Sequence, residues 1–502
     1  MLSAAPFEIS LPTSAWFRSM VDPVELNESG QRFLLTSSES GTAGEKLEDS
    51  SRWIVQLNDD GLAKYGSVEE VAMLFQESGV EVLYGLGLPG QVLVGASSAT
   101  SDETSRFLED HSLVSHFRMD GVGRGSVLPD DPLFSVQAGL NNTGQDGNLA
   151  DADIDAPEAW DTGTGSRNVI VAVIDSGVAY DHPDLVHSIW INQGEIPVTL
   201  QQNLLDVDQD GLISFVDLNH ASNADHVTDI NDNGLIDAED LVLDPDWSDQ
   251  QDNDGNQFID DLVGWDFLNH DPLPEDQHGH GTHVSGIIGA EGNNGVGISG
   301  VNWTSSIMPL RFLDENNFGY LSNGILAINY ATMMQSEFGA NVRVINNSWG
   351  TPLQNENLLD AIQANSQSGM LMVNAAGNGN YYGGYDLDDS DYDQRYFPAS
   401  IDSDHIITVG ATSLSDGSKA FFSNFGGMTV DLLAPGTKIL STDLAENGLY
   451  SRRSGTSMAT PFVSGVAALV WSRNPTARPL EVKAAILQSV DSISGLEPLI
   501  VS

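Results

Sequence analysis

Four short apolar runs rich in β-branched residues, Val169 to Asp175, Val342 to Asn346, Met370 to Ala376 and Ile406 to Thr412, recur between stretches with helical spacing. A strand buried on both faces reads as a continuous apolar run rather than an alternating one. The pattern therefore calls for an α/β fold, a parallel sheet covered by helices on both faces. Helices are predicted over residues 283–290, 323–338, 358–368 and 457–472. Groups that act on a ligand in such a sheet stand at the carboxyl ends of its strands, and Asp175 and Asn378 fall at or just past such ends. Upstream lies a smaller pattern. Trp53 to Leu57 reads as a strand, and Val68 to Ser78 as a helix with Val71, Leu74 and Phe75 on one face. Two short strands flank Leu88-Pro89-Gly90, and a helix over residues 102–111 and a strand from Leu113 to Met119 follow. The order β-α-β-β-α-β makes residues 51–125 a small α+β domain ahead of a larger one over residues 130–502. Residues 1–50, rich in Ser, Glu and Gly, are given no fold and are expected to be flexible.

The 502 residues include 72 acidic and 19 basic ones, a formal charge of -53. So negative a surface argues against nucleic acid or anionic lipid as a partner and favours divalent cations. No run approaches the roughly 18 uninterrupted apolar residues of a membrane span. The absence of cysteine excludes disulfides, thiol catalysis and zinc thiolate sites. The opening residues have neither a basic start nor a long apolar run, so no signal peptide is legible in them. The charge is unevenly placed. No Lys or Arg lies between Arg167 and Arg311, while 22 Asp and Glu fall from Glu195 to Asp276. Residues 195–276 read as an acidic insert within the larger domain.

Three motifs carry the chemistry: Val173-Ile174-Asp175-Ser176-Gly177, His280-Gly281-Thr282-His283-Val284-Ser285-Gly286, and Ser454-Gly455-Thr456-Ser457-Met458-Ala459-Thr460-Pro461. Any one alone could be structural: a strand-end cap, a polar residue opening a helix, a common Gly-x-Ser. Together, in the chain order Asp, His, Ser, they resemble the subtilisin-like serine proteases, over roughly residues 130 to 490. The chemistry needs these residue types independently of the resemblance. A serine hydroxyl is a poor nucleophile at neutral pH and needs a base of pKa near 7 within hydrogen-bond reach. His280 is the candidate base. A carboxylate on its other nitrogen fixes the tautomer and stabilises the imidazolium, and Asp175 supplies it. Ser457 opens an apolar helix whose free amides face the forming oxyanion. His283 lies one helical turn further in and is expected to face the core.

The resemblance implies more. Ala375-Ala376-Gly377-Asn378 matches the segment whose asparagine completes the oxyanion hole. Gly319-Tyr320-Leu321 and Ser348-Trp349-Gly350, with Ala376 and Gly377, look like the edges along which an extended peptide is held, Trp349 narrowing or deepening the adjoining subsite. Phe397-Pro398-Ala399 resembles one wall of the first specificity pocket. No buried carboxylate can be assigned there, so apolar or aromatic residues before the scissile bond are the expected targets. The acidic run from Asp386 through Asp388, Asp389, Asp391 and Asp393 is expected to disfavour acidic substrates, with Arg452 and Arg453 partly opposing its field. The upstream α+β unit resembles the ferredoxin-like propeptides of the family, which assist folding and act as intramolecular inhibitors until cleaved, here between Gly121 and Pro129. Asp131, Asp184 and Asn294 align with the family's structural calcium site, with Asn293 as the alternative to Asn294. The family usually closes with a glycine-rich strand, whereas this chain stops at Leu499-Ile500-Val501-Ser502, so C-terminal sequence is expected to be missing.

Within the insert, Asp206, Asp208 and Asp210 occupy positions 1, 3 and 5 of an EF-hand-type loop, with Gly211 at 6 and Asp217 at 12. Asp229, Asn231, Asn233, Gly234 and Asp240 repeat the pattern 23 residues on. A third segment, Asp252, Asp254 and Gly255 running to Asp261, departs from it in having Gln250 at position 1. The bidentate glutamate usual at position 12 is missing from the first two loops. The expectation is a secreted, calcium-stabilised serine endopeptidase made as a zymogen and acting on protein or peptide substrates. Oligomeric state is not legible. The alternative is a non-enzymatic calcium-dependent interaction module on a protease scaffold, its paired loops acting like a dockerin. Intact triad residues and the 23-residue loop spacing favour the enzyme.

Overall fold

The computed structural model describes residues 52–75, 78–86, 88–96, 100–119, 127–389, 394–491 and 500. Residues 1–50, the Gly121 to Ser126 part of the expected cleavage stretch, and Asp391 and Asp393 lie outside them. The chain divides into two compact units between Gly125 and Ser126.

In the first unit, β1 (Arg52–Leu57), α1 (Asp59–Lys64), α2 (Val68–Phe75), β2 (Val80–Gly85), β3 (Gln91–Ala96), α3 (Ser101–Asp110) and β4 (Val114–Met119) follow one another. The strands form an antiparallel sheet in the order β2-β3-β1-β4. Only α1 was not foreseen. It contains Gly61 and carries no apolar stripe, and it starts because the Asn58 side chain accepts the Gly61 amide. Val55, Val71, Phe75, Val92 and Leu108 form the core of this unit.

The second unit comprises α4 (Ala156–Trp160), β5 (Gly165–Asp175), α5 (Val198–Gln201), α6 (Phe215–Leu218), α7 (Ala238–Leu243), β6 (Trp265–Asp266), α8 (His280–Gly289) and β7 (Thr304–Arg311). It continues with α9 (Leu321–Ser336), β8 (Val342–Asn347), α10 (Glu356–Gln367), β9 (Leu371–Ala375), β10 (Ile406–Thr412), β11 (Leu432–Pro435), β12 (Ile439–Thr442), β13 (Tyr450–Arg453), α11 (Thr456–Arg473) and α12 (Pro479–Ser489). Seven strands form one parallel sheet in the order β11-β10-β9-β8-β5-β7-β6, while β12 and β13 pair separately. Successive residues of β5 feed opposite faces. Val169, Val171 and Val173 pack with Val284 of α8 and Val463 of α11, whereas Ile170, Ala172 and Ile174 pack with Ala327 of α9 and Ile362 of α10. Each buried aliphatic side chain contributes roughly 1.5–3 kcal/mol, which is why the strand reads as one apolar run.

The acidic block does not coincide with a separate body. Phe215, Leu218, Leu241 and Trp247 of the insert are buried in the same apolar cluster as Val171 and Val284. Its last part already belongs to the scaffold, because Trp265–Asp266 pairs with β7 and Asp276 supports the helix that carries His280. The block is also not without cations. The two arginines that bracket it fold back onto it: Arg167 lies 3.2 Å from Asp208, and buried Arg311 lies 2.8 Å from Asp266.

Candidate active site

The loops after β5, β8 and β9 and the starts of α8 and α11 converge at the carboxyl end of the sheet. Asp175 closes β5 with its side chain fully buried. Its Oδ1 accepts the Ser176 amide at 2.8 Å and faces His280 Nδ1 at 2.7 Å, while Oδ2 is buried without a partner. Little besides the imidazole therefore neutralises this charge. His280 is the first residue of α8, and it can stand so close because Gly281 lets the helix touch the Gly177 carbonyl. A Cβ at position 281 would lie 2.1 Å from that oxygen. Burial alone would lower the pKa of His280, but the Asp175 carboxylate outweighs it and holds the imidazole above its ordinary value.

Asp276 was not singled out in the sequence. Its carboxylate accepts the amides of His278, Gly279 and Thr282 and the hydroxyls of Ser176 and Thr282, all at 2.7–2.9 Å. It thereby anchors the start of α8 to the residue that follows Asp175. Its signal was an acidic residue just ahead of a helix N-terminus, hidden in the acidic block. His283 does face the core: Nε2 lies 3.1 Å from the Ile439 carbonyl, and burial pushes its pKa down to about 3.

Ser457 is the second residue of α11, so its amide has no partner within the helix. Pro461 lies four residues on and has no N–H to give the Ser457 carbonyl. The Ser348 hydroxyl donates to that carbonyl instead, at 2.9 Å, and the Ser457 hydroxyl donates to the Ser348 carbonyl at 2.9 Å. This reciprocal pair fixes the start of α11 against the end of β8. Asn378 is oriented by Thr456, whose amide (3.0 Å) and hydroxyl (3.3 Å) both donate to Asn378 Oδ1. With the oxygen occupied, Nδ2 is the donor left over, and it lies 3.5 Å from where a Cβ on Gly455 would be.

The expected edges are placed in the same region of the fold. Tyr320, 79% exposed, caps α9, Leu321 opens that helix, and Gly319 lies flush against the Phe312 carbonyl. Ser348 and Ala376 are buried. Trp349 turns inward, its ring 4.9 Å from that of Phe312 and against Gly324, so it fills the space under α9 rather than standing as an open wall. Arg453 is spent on Asp443 at 2.9 Å and Arg452 on Asp146 at 3.2 Å. Asp388 accepts the Met428 amide and the Thr429 hydroxyl.

Comparison with known proteins matches residues 166–498 to the subtilase (peptidase S8) family. The chain belongs to the subtilase family of serine proteases. A thermophilic serine proteinase of Bacillus sp. (strain AK1) is 30% identical over 389 residues, 77% of this chain and 70% of that protein. Thermitase of Thermoactinomyces vulgaris is 29% identical over 368 residues, 73% of this chain and 93% of that protein.

In this subtilase the first two acidic loops have the same backbone. Residues at position 4, Gln209 and Asp232, have φ of 61° and 56°, and Gly211 and Gly234 have φ of 90° and 91°. Each glycine amide donates to the carboxylate five residues before it, Asp206 or Asp229, at 3.0 and 2.9 Å. Oxygens of Asp206, Asp208 and Asp210 lie within 4.8 Å of one another. Asp206 Oδ1 is buried without a partner, an orphaned acceptor suited to a hard cation. Asp217 and Asp240 each accept the position-2 amide of their loop (Val207 at 2.6 Å, Ile230 at 2.7 Å) and, from the third position of α6 or α7, accept the amide of that helix's N-cap residue, Ser214 or Asp237, which ties each loop to the short helix after it. In the second loop the amide groups of Asn231 and Asn233 donate to Asp237, which the sequence had not marked.

The third segment is built differently. Gly255 donates to Asp252, three residues back, and Asp252 and Asp254 cluster within 4.8 Å with buried Glu195. Burial raises the pKa of Glu195 to about 7 and that of Asp261 to about 8, so both are costly to ionise without a cation. Asp261 is held by Tyr330 and Asn256. At the remaining expected site the amides of Asn293 (2.8 Å) and Asn294 (3.1 Å) both donate to Asp131, and Asn294 Nδ2 donates to Asp184 at 3.2 Å.

Proposed function

We propose that this subtilase is a secreted serine endopeptidase, made as a zymogen and stabilised by calcium. The observation that carries the catalytic reading is the 2.7 Å contact of His280 with Asp175, together with Asn378 turned by Thr456 to offer its Nδ2 beside Ser457. In catalysis Ser457 Oγ leaves the Ser348 carbonyl by rotation about χ1 and attacks the scissile carbonyl as His280 takes its proton. Asp175 stabilises the imidazolium, and the Ser457 amide and Asn378 Nδ2 receive the oxyanion. His280 then protonates the leaving amine, and water hydrolyses the acyl-enzyme by the same proton transfers in reverse. Calcium, when bound by the carboxylates of the loops at Asp206 and Asp229 and by the Glu195 cluster, supplies positive charge that lets them stay ionised and close together. Among the described residues no helix is long and apolar enough to cross a membrane. Nothing in the geometry favours the non-enzymatic alternative, although the Ser457 hydroxyl is held by the Ser348 carbonyl at 2.9 Å and has to swing towards His280 before it can act. The deciding test is casein hydrolysis in calcium with and without a serine-directed phosphonyl inhibitor; inhibitor-resistant hydrolysis, or none, would refute the reading.

Two outcomes follow from the geometry. Asn378→Ala is expected to lower kcat by about 100- to 1,000-fold with little change in KM, a size taken from the equivalent residue of subtilisin itself. An effect confined to KM would show that Asn378 binds ground state rather than oxyanion. The pH profile of kcat/KM should rise with loss of the His280 proton. Because Asp175 holds that proton to higher pH, the acid limb is expected to have its midpoint above the ordinary histidine value of about 6.5. The same shift stabilises the fold below that value, an advantage lost as pH rises through the raised one. A midpoint below about 6 would contradict the Asp175 effect.

A further inference from the structure

Gly350 and Gly377 belong to the two segments read above as substrate edges, and on that reading the side chain before the scissile bond lies in the slot between them. Gly350 stands two residues past Ser348, whose carbonyl holds the Ser457 hydroxyl, and Gly377 immediately precedes Asn378. They prolong β8 and β9, which pair in register as far as Asn347 and Asn374, so the two segments leave the sheet side by side. The slot is closed beyond them by Thr351 and Phe397, which exchange backbone hydrogen bonds of 2.8 Å in both directions. Both glycines face one ring. A Cβ at Gly350 would lie 2.2 Å from Tyr396 Cε1, and one at Gly377 would lie 2.6 Å from Tyr396 Cδ1. The Cδ1–Cε1 edge of Tyr396 is thus wedged between the two glycines, against the two backbones that would flank a substrate side chain. The ring is half-buried and backed by Ala376, Leu387 and Val430. Its backbone is tied to Ser400: the Tyr396 amide donates to Ser400 Oγ at 3.1 Å, and the Ser400 amide donates to the Tyr396 carbonyl at 2.7 Å.

We infer that Tyr396 determines specificity at the first subsite by filling it, restricting the residue before the scissile bond to glycine, alanine or serine. This rests on the endopeptidase reading above. A leucine or phenylalanine side chain needs the volume that the ring edge takes, and interiors packed at close to crystal density do not yield it freely. The expectation of large apolar or aromatic targets is thereby reversed: Phe397-Pro398-Ala399 was read as a wall, but the residue just before it turns its ring inward.

The test is kcat/KM on peptides that differ only at this residue (Gly, Ala, Ser, Leu or Phe), with wild type, Tyr396→Ala and Tyr396→Phe. Wild type is expected to cut the alanine or serine peptide at least about tenfold faster than the phenylalanine one. Tyr396→Ala should raise kcat/KM for leucine and phenylalanine by about tenfold or more, and Tyr396→Phe, which keeps the ring, should keep the wild-type order. Equal rates for alanine and phenylalanine in wild type, or an unaltered order in Tyr396→Ala, overturn the inference. Labelling by a small alkyl fluorophosphonate, which reaches Ser457 without filling the slot, is measured in parallel. Protein that labels yet cuts all peptides alike refutes the subsite, whereas protein that neither labels nor cuts any peptide refutes the protease reading beneath it. If Tyr396→Ala fails to label while wild type does, Tyr396→Val replaces it and the wild-type order still decides.

Discussion

Ser457→Ala is expected to remain at its full 502 residues, whereas the wild-type chain loses everything up to a point between Gly121 and Pro129. The first compact unit carries a complete four-stranded sheet and ends at Gly125, so a cut in this stretch separates the two units without opening either core. The alanine retains Asp175, His280 and Asn378 but has no oxygen to form the acyl-enzyme. Peptidase activity should fall by about a millionfold, the loss seen when subtilisin itself is stripped of its serine, leaving what the oxyanion donors and binding alone achieve. Intact mass after expression in a protease-deficient host reads the first effect, and peptide hydrolysis the second. Processing that proceeds in pure Ser457→Ala protein would show that the cut does not need Ser457 and would overturn self-maturation. Full-length wild-type protein that hydrolyses peptides would mean that no zymogen exists.

How much of this could be read from the sequence follows from how local each signal is. The candidate residues Asp175, His280 and Ser457 could be singled out because each lies in a contiguous motif whose neighbours do the local work, such as Gly281 for close approach and Pro461 for freeing the Ser457 carbonyl. The strands with unbroken β-branched runs were legible for the same reason. β7 was not, because Ser305, Ser306 and Pro309 interrupt its apolar pattern, and β6 is only two residues long. What stayed hidden are contacts across long sequence separations. Glu195 meets Asp252 and Asp254, Arg167 meets Asp208, and Tyr396 reaches back to Gly350. A spacing rule cannot see these. It also overstated the acidic block as an insert without basic partners, because net charge counts Asp266 and Asp276 alike with the loop residues. The fold spends the first on Arg311 and the second on the start of α8.

Removing calcium is expected to lower the midpoint of thermal unfolding by about 10 °C. A cation bound only by the folded chain stabilises it by about 2.7 kcal/mol at a hundredfold excess over Kd, and two occupied loops would contribute about 5 kcal/mol. Set against a total stability of about 5–15 kcal/mol this is a large share, and for a unit of this size about 2 °C is lost per kcal/mol. The physical need differs between loops. Asp206, Asp208 and Asp210 crowd three carboxylates together, with Arg167 beside Asp208 as a counter-charge. The second loop replaces two of its carboxylates with Asn231 and Asn233, and the third cluster buries Glu195 outright. With no cysteine in the chain, no cross-link limits unfolding once these sites are empty. Salt screens the repulsion but does not coordinate the orphaned Asp206 Oδ1, so it should restore only a small part of the loss. The measurement is the melting curve of Ser457→Ala protein in calcium, in EDTA, and in EDTA with sodium chloride at matched ionic strength. Asp206→Asn combined with Asp208→Asn should lower the midpoint in calcium but reduce the further drop in EDTA, because that loop has already lost its cation. Coincident midpoints in all three solutions would show the loops to be acidic surface and nothing more.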